Sequence, residues 1–284
     1  MKILACIDGS RYTVSVCDHA AWAANRLGEP VELLHVLSRQ PTDPAIAADR
    51  SGQLGIGTRG ELYRRLIELD EQRNRLAHEA GRHLLDEAAE RIRQGGVERV
   101  MQRLAHGELV DHIHDHEADA RLVVIGRRGE GEDQAPQHLG SNLERIIRAS
   151  RRPIVIAARQ FRPPARFLVA YDGSASAERA IDALVRNPIL TDAEGHVLLV
   201  GAGTEAERQR LNGAVERLRQ AGYSVSGDIR SGDPDRLISA TIDAEASDLL
   251  VMGAYGHSRI RELMIGSTTT SVLRTSTVSV LVMR

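Results

Sequence analysis

Aromatic residues, cysteines and long apolar runs are all scarce in this chain, and each shortage closes off a class of protein. Phe, Trp and Tyr make up 3% of 284 residues, so the cores must be filled by Leu, Ile, Val and Ala. Only Cys6 and Cys17 are present, without a second pair at metal-ligand spacing. Buried thiols in a reducing compartment are expected, not a disulfide framework. Ile3-Leu4-Ala5-Cys6 superficially resembles a lipoprotein cleavage box, but the apolar run before it is too short and Asp8 ends it. No apolar stretch approaches the ~18 residues that span a bilayer. The protein is expected to be soluble and cytoplasmic, with no membrane partner. The formal net charge of -2 gives no global bias toward nucleic acid, and none is expected as a partner. Catalytic signatures are missing too: there is no GxSxG, no HExxH, no GxxxxGK[ST] and no GxGxxG.

What the chain has is a repeat. Its length suits two domains, and 42% hydrophobic content supplies ordinary cores. Lys2-Ile3-Leu4-Ala5-Cys6-Ile7-Asp8-Gly9-Ser10 is echoed by Arg166-Phe167-Leu168-Val169-Ala170-Tyr171-Asp172-Gly173-Ser174. Arg121-Leu122-Val123-Val124-Ile125-Gly126 is echoed by Asp248-Leu249-Leu250-Val251-Met252-Gly253. Gly140-Ser141 matches Gly266-Ser267, and Pro153 to Ala157 matches Val278 to Val282. Four pairs in one order mean a duplicated domain.

Within each copy strands and helices alternate. The first copy is predicted as strand 2–7, helix 14–27, strand 31–37, a helical stretch ending near Arg93, strand 97–104, helix 108–117, strand 121–125, a helix from Ser141 and strand 153–157. The second is predicted as strand 167–171, helix 176–187, strand 196–200, helix 205–221, strand 223–230, helix 234–245, strand 248–252, helix 267–275 and strand 278–283. Such alternation implies right-handed crossovers and parallel sheets, with ligands beyond the carboxyl ends of the strands. Asp8, Gly126, Asp172 and Gly253 all fall at those ends. The expected division is domain one over 1–158, a linker over 159–165 with Pro163-Pro164, and domain two over 166–284. Asp8 to Gly126 spans 118 residues against 81 from Asp172 to Gly253. The excess, at about 40–77, begins with the Pro/Asp/Ala-rich piece Gln40 to Ala48 and turns helical through Leu62, Leu66 and Leu69. A lid, an interface arm or a surface insertion with neither duty all suit it.

The stretch after Leu249–Met252 is the most informative. Gly253 and Gly256 are separated by two residues, nine more (257–265) follow, and then comes Gly266-Ser267-Thr268. Glycine and hydroxyl residues at a helix start present free N–H groups and the positive end of a helix dipole, which suits a phosphate. This spacing resembles the nucleotide-binding signature of the universal stress protein family. The resemblance covers nearly the whole chain, with the insertion least covered. It implies two flavodoxin-like (adenine-nucleotide alpha hydrolase-like) α/β domains, each an open parallel five-stranded sheet with helices on both faces. It also implies a stress-response role in which an adenine nucleotide, ATP or else ADP or AMP, with any Mg carried on its phosphates, signals to protein partners. Domains of the family associate through their last strands. Strands 153–157 and 278–283 are therefore expected to pair as an intramolecular pseudo-dimer, with a homodimer of chains as a further expectation.

Residue by residue, the resemblance assigns Asp172 to the adenosine, and Met252, Gly253 and Gly256 to the loop around ribose and phosphates. Gly266, Ser267 and Thr268 bond phosphate oxygens, and Ala202 lies at the adenine slot. In the first copy the corresponding residues are Asp8, Val36, Gly126, Gly129, Gly140 and Ser141. Asp172-Gly173-Ser174 also reads as an ordinary helix N-cap. The first copy departs from the pattern: its loop holds ten residues (130–139), carries Glu130, Glu132 and Asp133, and has Asn142 at the place of Thr268. Those charges repel phosphate unless Arg127 and Arg128 compensate. Binding is therefore expected mainly in domain two. No residue is assigned a catalytic role, and ATP hydrolysis, with Asp172 the only carboxylate near the loop, is expected to be slow. His112 and His116 have the i, i+4 spacing of a zinc pair but no partner pair elsewhere, so no metal site is assigned. Two rivals stand beside this reading: a nucleotide-independent interaction scaffold, and an enzyme of the adenine-nucleotide-binding α/β group.

Overall fold

The computed structural model describes residues 1–37, 56–129, 141–255 and 266–284, with the side chains of all of these except 56–64 and Ser141. The first half runs β1 (Lys2–Ile7), α1 (Thr13–Leu27), β2 (Val31–Leu37), α2 (Ile56–Gln94), β3 (Val100–His106), α3 (Leu109–His116), β4 (Ala120–Gly126), α4 (Ser141–Ala149) and β5 (Ile154–Ala157). The second runs β6 (Arg166–Tyr171), α5 (Ala175–Arg186), β7 (Glu194–Val200), α6 (Glu205–Gln220), β8 (Ser224–Arg230), α7 (Pro234–Ala244), β9 (Leu249–Gly253), α8 (Ser267–Thr275) and β10 (Ser279–Met283).

All ten strands form one sheet in the order β3-β2-β1-β4-β5-β10-β9-β6-β7-β8. Every neighbouring pair is parallel except β5 and β10, which run antiparallel with Ile154 opposite Val282 and Ile156 opposite Val280. Each half is thus a five-stranded parallel sheet, and the expected pairing of the last strands makes the whole sheet mixed. The joint is favourable because each of these strands would otherwise expose a row of unpaired N–H and C=O groups.

Strands covered on both faces carry no polar alternation. All six residues of β1 and all four of β5 are buried. On one face Ile3, Val16, Leu85, Ile181 and Leu218 belong to the layer under α1, α2, α5 and α6. On the other, Leu4, Ile113, Ile147, Ile238 and Leu273 belong to the layer under α3, α4, α7 and α8. In each half the first strand lies between the second and the fourth, so the chain leaves β1 and β4, or β6 and β9, toward opposite faces. The crevice at that reversal is where α/β sheets hold ligands.

The helical part of the insertion is not a separate element. It is the N-terminal half of α2, a 39-residue helix about 58 Å long at 1.5 Å per residue. Its C-terminal half packs through Leu85, Ala88, Ala89 and Ile92. Farther toward its N-terminus Leu66, Ile67, Leu69 and Leu76 are exposed. Gln40 to Ala48 lies outside the described residues. Among the described residues no helix is long and apolar enough to cross a membrane.

Candidate functional site

The crevice of the second half opens where β6 ends. Gly173 adopts φ +72°, and Asp172 Oδ1 accepts the Ser174 N–H at 2.9 Å. This Asx-turn delivers Ser174 to the start of α5, where its Oγ accepts from Ala177 N at 3.2 Å. The N-cap expected of Asp172-Gly173-Ser174 is therefore present: Ser174 caps, and Asp172 holds the turn. Two hydroxyls then tie α5 to the chain leaving β9. Ser174 Oγ donates to the Tyr255 carbonyl at 3.0 Å, and Ser176 Oγ bonds the same carbonyl while accepting from Tyr255 N at 3.1 Å. Gly253 is required by this closeness, because a Cβ there would lie 2.4 Å from Ser176 Oγ and 2.7 Å from Ala177 N. Ser176 and Tyr255 are functional-site neighbours that sequence reasoning missed; only the tightness implied by Gly253 hints at them.

The start of α8 forms the opposite wall. Gly266 is its N-cap, at φ -57° and ψ 144°, and no side chain among the described residues caps it. The Gly266 N–H itself donates to the Ala254 carbonyl at 3.1 Å, so it is engaged inside the protein. Thr269 Oγ1 donates to the Gly253 carbonyl at 3.2 Å. Ser267 is exposed and Thr268 half-buried. The first-turn amides after Gly266 have no intrahelical acceptor by the geometry of any helix, and they carry the positive end of the dipole. The Tyr255 hydroxyl, buried nearby in sequence, has no hydrogen-bond partner among the described residues. Met252 is 3% exposed and enclosed in the apolar layer. Gly256 and residues 257–265 lie outside the described residues.

Strand register revises which residue corresponds to the one expected at an adenine slot. Ile7 stands opposite His35 and Tyr171 opposite Leu199, so the residue equivalent to Val36 is Val200, not Ala202. Val36 and Val200 both pack, half-buried, against the layer under α3, α4, α7 and α8. His35 turns to the other face, where its Nδ1 donates to the Ile7 carbonyl at 2.8 Å. Ala202 is exposed two residues beyond β7. Above this loop the Glu207 carboxylate accepts from Thr204 N at 2.8 Å, closing a capping box. Backbone hydrogen bonds from Thr204, then Gly203 and Ala202, hold that carboxyl below its ordinary range.

The first half builds the same turn with different neighbours. Asp8 Oδ1 accepts from Ser10 N at 3.1 Å, and Gly129 lies close enough that a Cβ would stand 3.2 Å from Asp8 Oδ2. Gly126 packs on Tyr12, whose Cβ would be 2.7 Å from an added Cβ. Among the described residues the hydrogen-bond partners of Arg127 lie on the far side of the joint. The side chain bonds the Ser276 carbonyl and, at 2.6 Å, the Val278 carbonyl. Burial pushes its guanidinium down from the usual value. Gly140 and the acidic residues at 130, 132 and 133 lie outside the described residues, and Ser141 begins α4.

Elsewhere, His112 Nε2 bonds the His106 carbonyl at 3.0 Å while His116 stands 4.0 Å from Glu32, so the two imidazoles serve different partners. Both cysteines are free and buried, and burial pushes the Cys17 thiol up to about 12.

A sequence profile described as the universal stress protein family matches residues 1–158 and 199–284. The gap between the two matches contains β6, Asp172 and α5. A curated universal stress protein of Synechocystis, Slr1230, is 35% identical over 285 residues, covering 100% of this chain and 99% of the relative. A shorter similarity, 28% identity over 81 residues, links 28% of this chain to 50% of the universal stress protein MJ0577 of Methanocaldococcus jannaschii. The fold resembles the crystal structure of a universal stress protein from Archaeoglobus fulgidus, with a TM-score of 0.72 at 22% identity over 100% of this chain and 98% of that one.

Proposed function

The chain belongs to the universal stress protein family, and from that premise we propose that it binds an adenine nucleotide, ATP ahead of ADP or AMP, mainly through the second half. In this reading the protein works in the cytoplasm as a stress-response regulator whose nucleotide occupancy is read by protein partners. Its two domains divide at the linker 159–165. Asp172 and Val200 face the adenosine, and the amides and hydroxyls of Ser267 and Thr268 take phosphate oxygens. Gly253 and Gly256 let the chain approach the ligand, with any Mg riding on the phosphates. Asp8, Val36, Gly126, Gly129, Gly140 and Ser141 form a weaker counterpart. No residue is proposed as catalytic, and turnover of ATP is expected to be slow.

The observation that carries this reading is the start of α8, where a helix without a side-chain cap among the described residues begins beside the crevice between β6 and β9. The Tyr255 hydroxyl, without a partner among the described residues, adds a polar group to the same place. Ser174 and Ser176, which hold the Tyr255 carbonyl, couple the loop to α5, so a ligand at α8 would be felt by an outer helix. Such a signal works only if a partner distinguishes the bound from the free state.

A second reading, a scaffold that binds no nucleotide, is favoured by one specific fact. Packing already employs two of the glycines: Gly253 accommodates α5, and the Gly266 amide is bonded to Ala254. Equilibrium binding of fluorescently labelled ATP to the intact chain and to Gly266→Asp separates the two. Aspartate is a favoured N-cap and leaves the helix intact, but it sets a carboxylate against the phosphates. Saturable binding that weakens at least about tenfold is expected, given the strength of charge-assisted bonds at a helix start. Absence of saturable binding by the intact chain would establish the scaffold.

A further inference from the structure

Of the eight large apolar side chains exposed among the described residues, four lie in one stretch of α2: Leu66, Ile67, Leu69 and Leu76. Leu69 and Leu76 are 60% and 66% exposed. Apolar residues gathered on one exposed surface mark interaction sites more often than scattered ones do. The leucines do not continue the face that docks the helix. At 3.6 residues per turn, Leu66, Leu69 and Leu76 lie about 100°, 160° and 180° around the axis from the buried Leu85. The docked face also includes Gly81, Ala88 and Ile92, so turning α2 to cover the leucines would uncover these.

The spacing names the kind of surface that fits. Leu66, Leu69, Arg73, Leu76 and Ala80 follow one another at alternating steps of three and four residues, the seam of a two-stranded coiled coil. We infer that this seam is an interface between two copies of the chain, with their α2 helices side by side and antiparallel.

Charge selects both the occupant and the direction. Between positions 65 and 80 three arginines (65, 73 and 75) stand against four carboxylates (68, 70, 71 and 79), so two copies meet with little net repulsion. In an antiparallel pair centred at the level of Glu71, Leu66 of each helix meets Leu76 of the other. Arg73 lies along Leu69 of the second copy, its stem on the leucine and its guanidinium at the wet rim. One flank then sets the exposed Arg65 beside the exposed Glu79 of the second copy. That contact occurs twice, because the arrangement is two-fold symmetric. Gln72 meets its own copy on the same flank. On the other flank Asp70 meets its own copy, with an Arg73 on each helix one turn away. A parallel pair would bring Arg65 to Asp70 but stack Arg73 on Arg73 inside the seam, where like charges are costly. The stretch is therefore complementary to itself in the antiparallel direction. The contact does not use β5 and β10, which are already joined within the chain.

Sedimentation equilibrium of the full-length protein over a dilution series tests the inference. A dimer that dissociates on dilution is expected, since a seam of two heptads is a small interface. Leu69→Glu/Leu76→Glu is expected to raise the dissociation constant at least about tenfold, because the buried apolar area is lost. Its circular dichroism is expected to match the parent's, since both positions are exposed and Glu forms helix about as well as Leu. Arg65→Glu is expected to weaken the dimer about threefold, and Arg65→Glu/Glu79→Arg to restore it. Direction is read from Gln72→Cys, which is expected to form a disulfide-linked dimer on oxidation, the two native cysteines being buried. A parallel pair holds the two copies of position 72 on opposite sides of the seam. The inference is overturned if the parent is a monomer throughout, if the exchanged charges do not restore the dimer, or if Gln72→Cys does not cross-link. It is also overturned if the leucine variant dimerises as the parent does, which pairing through the edge strands β3 or β8 would allow.

Discussion

Lys2 in the first half sits in a closed chain of charges. Its ammonium lies 2.8 Å from Glu32 and 2.7 Å from Asp119, and Arg103 adds a bond to Glu32 at 2.7 Å. The Lys2 and Glu32 side chains are only 7% and 5% exposed. Burial alone would raise the Glu32 carboxyl, but its hydrogen bonds and charges from Lys2 and Arg103 prevail and hold it low. At the equivalent place in the second half His196 meets Asp228 at 2.8 Å, and Arg230 bonds the same carboxylate at 2.8 Å. That carboxylate is 40% exposed. A duplicated scaffold has thus kept its apolar strands and exchanged the polar contacts around them. The buried pair is locked in, since removing one partner strands the other's charge; the open cluster is replaceable.

The repeated glycines carry a second lesson. Gly126 and Gly253 close the fourth strand of each half, and each faces the start of the helix that follows the first strand. Neither needs a positive φ; both need the absence of a side chain. At Gly253 an added Cβ would strike the Ala177 backbone nitrogen at 2.7 Å as well as Ser176 Oγ. At Gly126 it would strike only Tyr12 side-chain atoms and, at 3.4 Å, a carbonyl. Gly253→Ala is therefore expected to cost about 3 kcal/mol, the upper range for overpacking against atoms that cannot yield, and Gly126→Ala about 1 kcal/mol. Urea unfolding of both variants measures the gap. Equal losses would show that the two glycines meet the same obstacle.

A difference of similar size separates the two sides of the joint. His19 on α1 reaches β10, where its Nε2 accepts from Ser279 Oγ at 2.8 Å. Its Nδ1 donates to the Ser15 carbonyl at 2.7 Å, which fixes the tautomer because a carbonyl can only accept. Ser279 Oγ in turn accepts from Ala158 N at 2.9 Å. The equivalent helical position in the second half is Ala183, which lines a small apolar cavity with Pro153 and Val155. Burial pushes the His19 imidazole down to about 4. In the unfolded chain it takes a proton near pH 6.5, so protonation favours unfolding. Stability from this group is full above about pH 6.5, falls as pH drops toward about 4, and levels below. The loss is expected to be about 2–3 kcal/mol over that window. Denaturant unfolding of the parent and of His19→Gln between pH 7 and pH 4 checks it; a parent slope no steeper than the variant's would remove His19 from the joint.

How much of this could be read from the chain follows from which signals are local. Apolar runs such as Lys2–Ile7 and Leu249–Gly253 name their own strands, and the repeat of Asp8-Gly9-Ser10 in Asp172-Gly173-Ser174 gives away the duplication. The β5–β10 joint was expected from the family resemblance, since unpaired edges alone do not choose it: each five-stranded sheet has two, and β3 and β8 stay at the edges of the whole sheet. What stayed hidden depends on register and on distance. Val200, not Ala202, is the structural equivalent of Val36, because pairing is counted from Tyr171 opposite Leu199, not from the glycines beyond the strand. Arg127 read as a loop cation, yet it bonds carbonyls about 150 positions away, at Ser276 and Val278. Ser176 and Tyr255 are unremarkable in sequence and meet only because Gly253 lets α5 approach.

The helix starts offer the finest contrast between the halves. Ser174 accepts an amide of the first turn of α5 and donates to the Tyr255 carbonyl. In the first half, among the described residues, no side chain caps α1, and Ser10 Oγ accepts from Tyr12 N at 3.3 Å. An N-cap serine is worth about 1 kcal/mol, so Ser174→Ala is expected to lower the melting temperature by about 2–4 °C for a chain of this size. Ser10→Ala is expected to move it by less than half of that, since a long bond near the limit of hydrogen-bond geometry contributes little. The two melts, taken on the same full-length background, turn on one physical difference. A capping hydroxyl satisfies a donor that a helix cannot satisfy itself, whereas a turn hydroxyl only reinforces a bend that Asp8 already holds. Equal shifts would mean that the start of α1 leans on Ser10 as heavily as α5 leans on Ser174, and that the two turns have not diverged in mechanics at all.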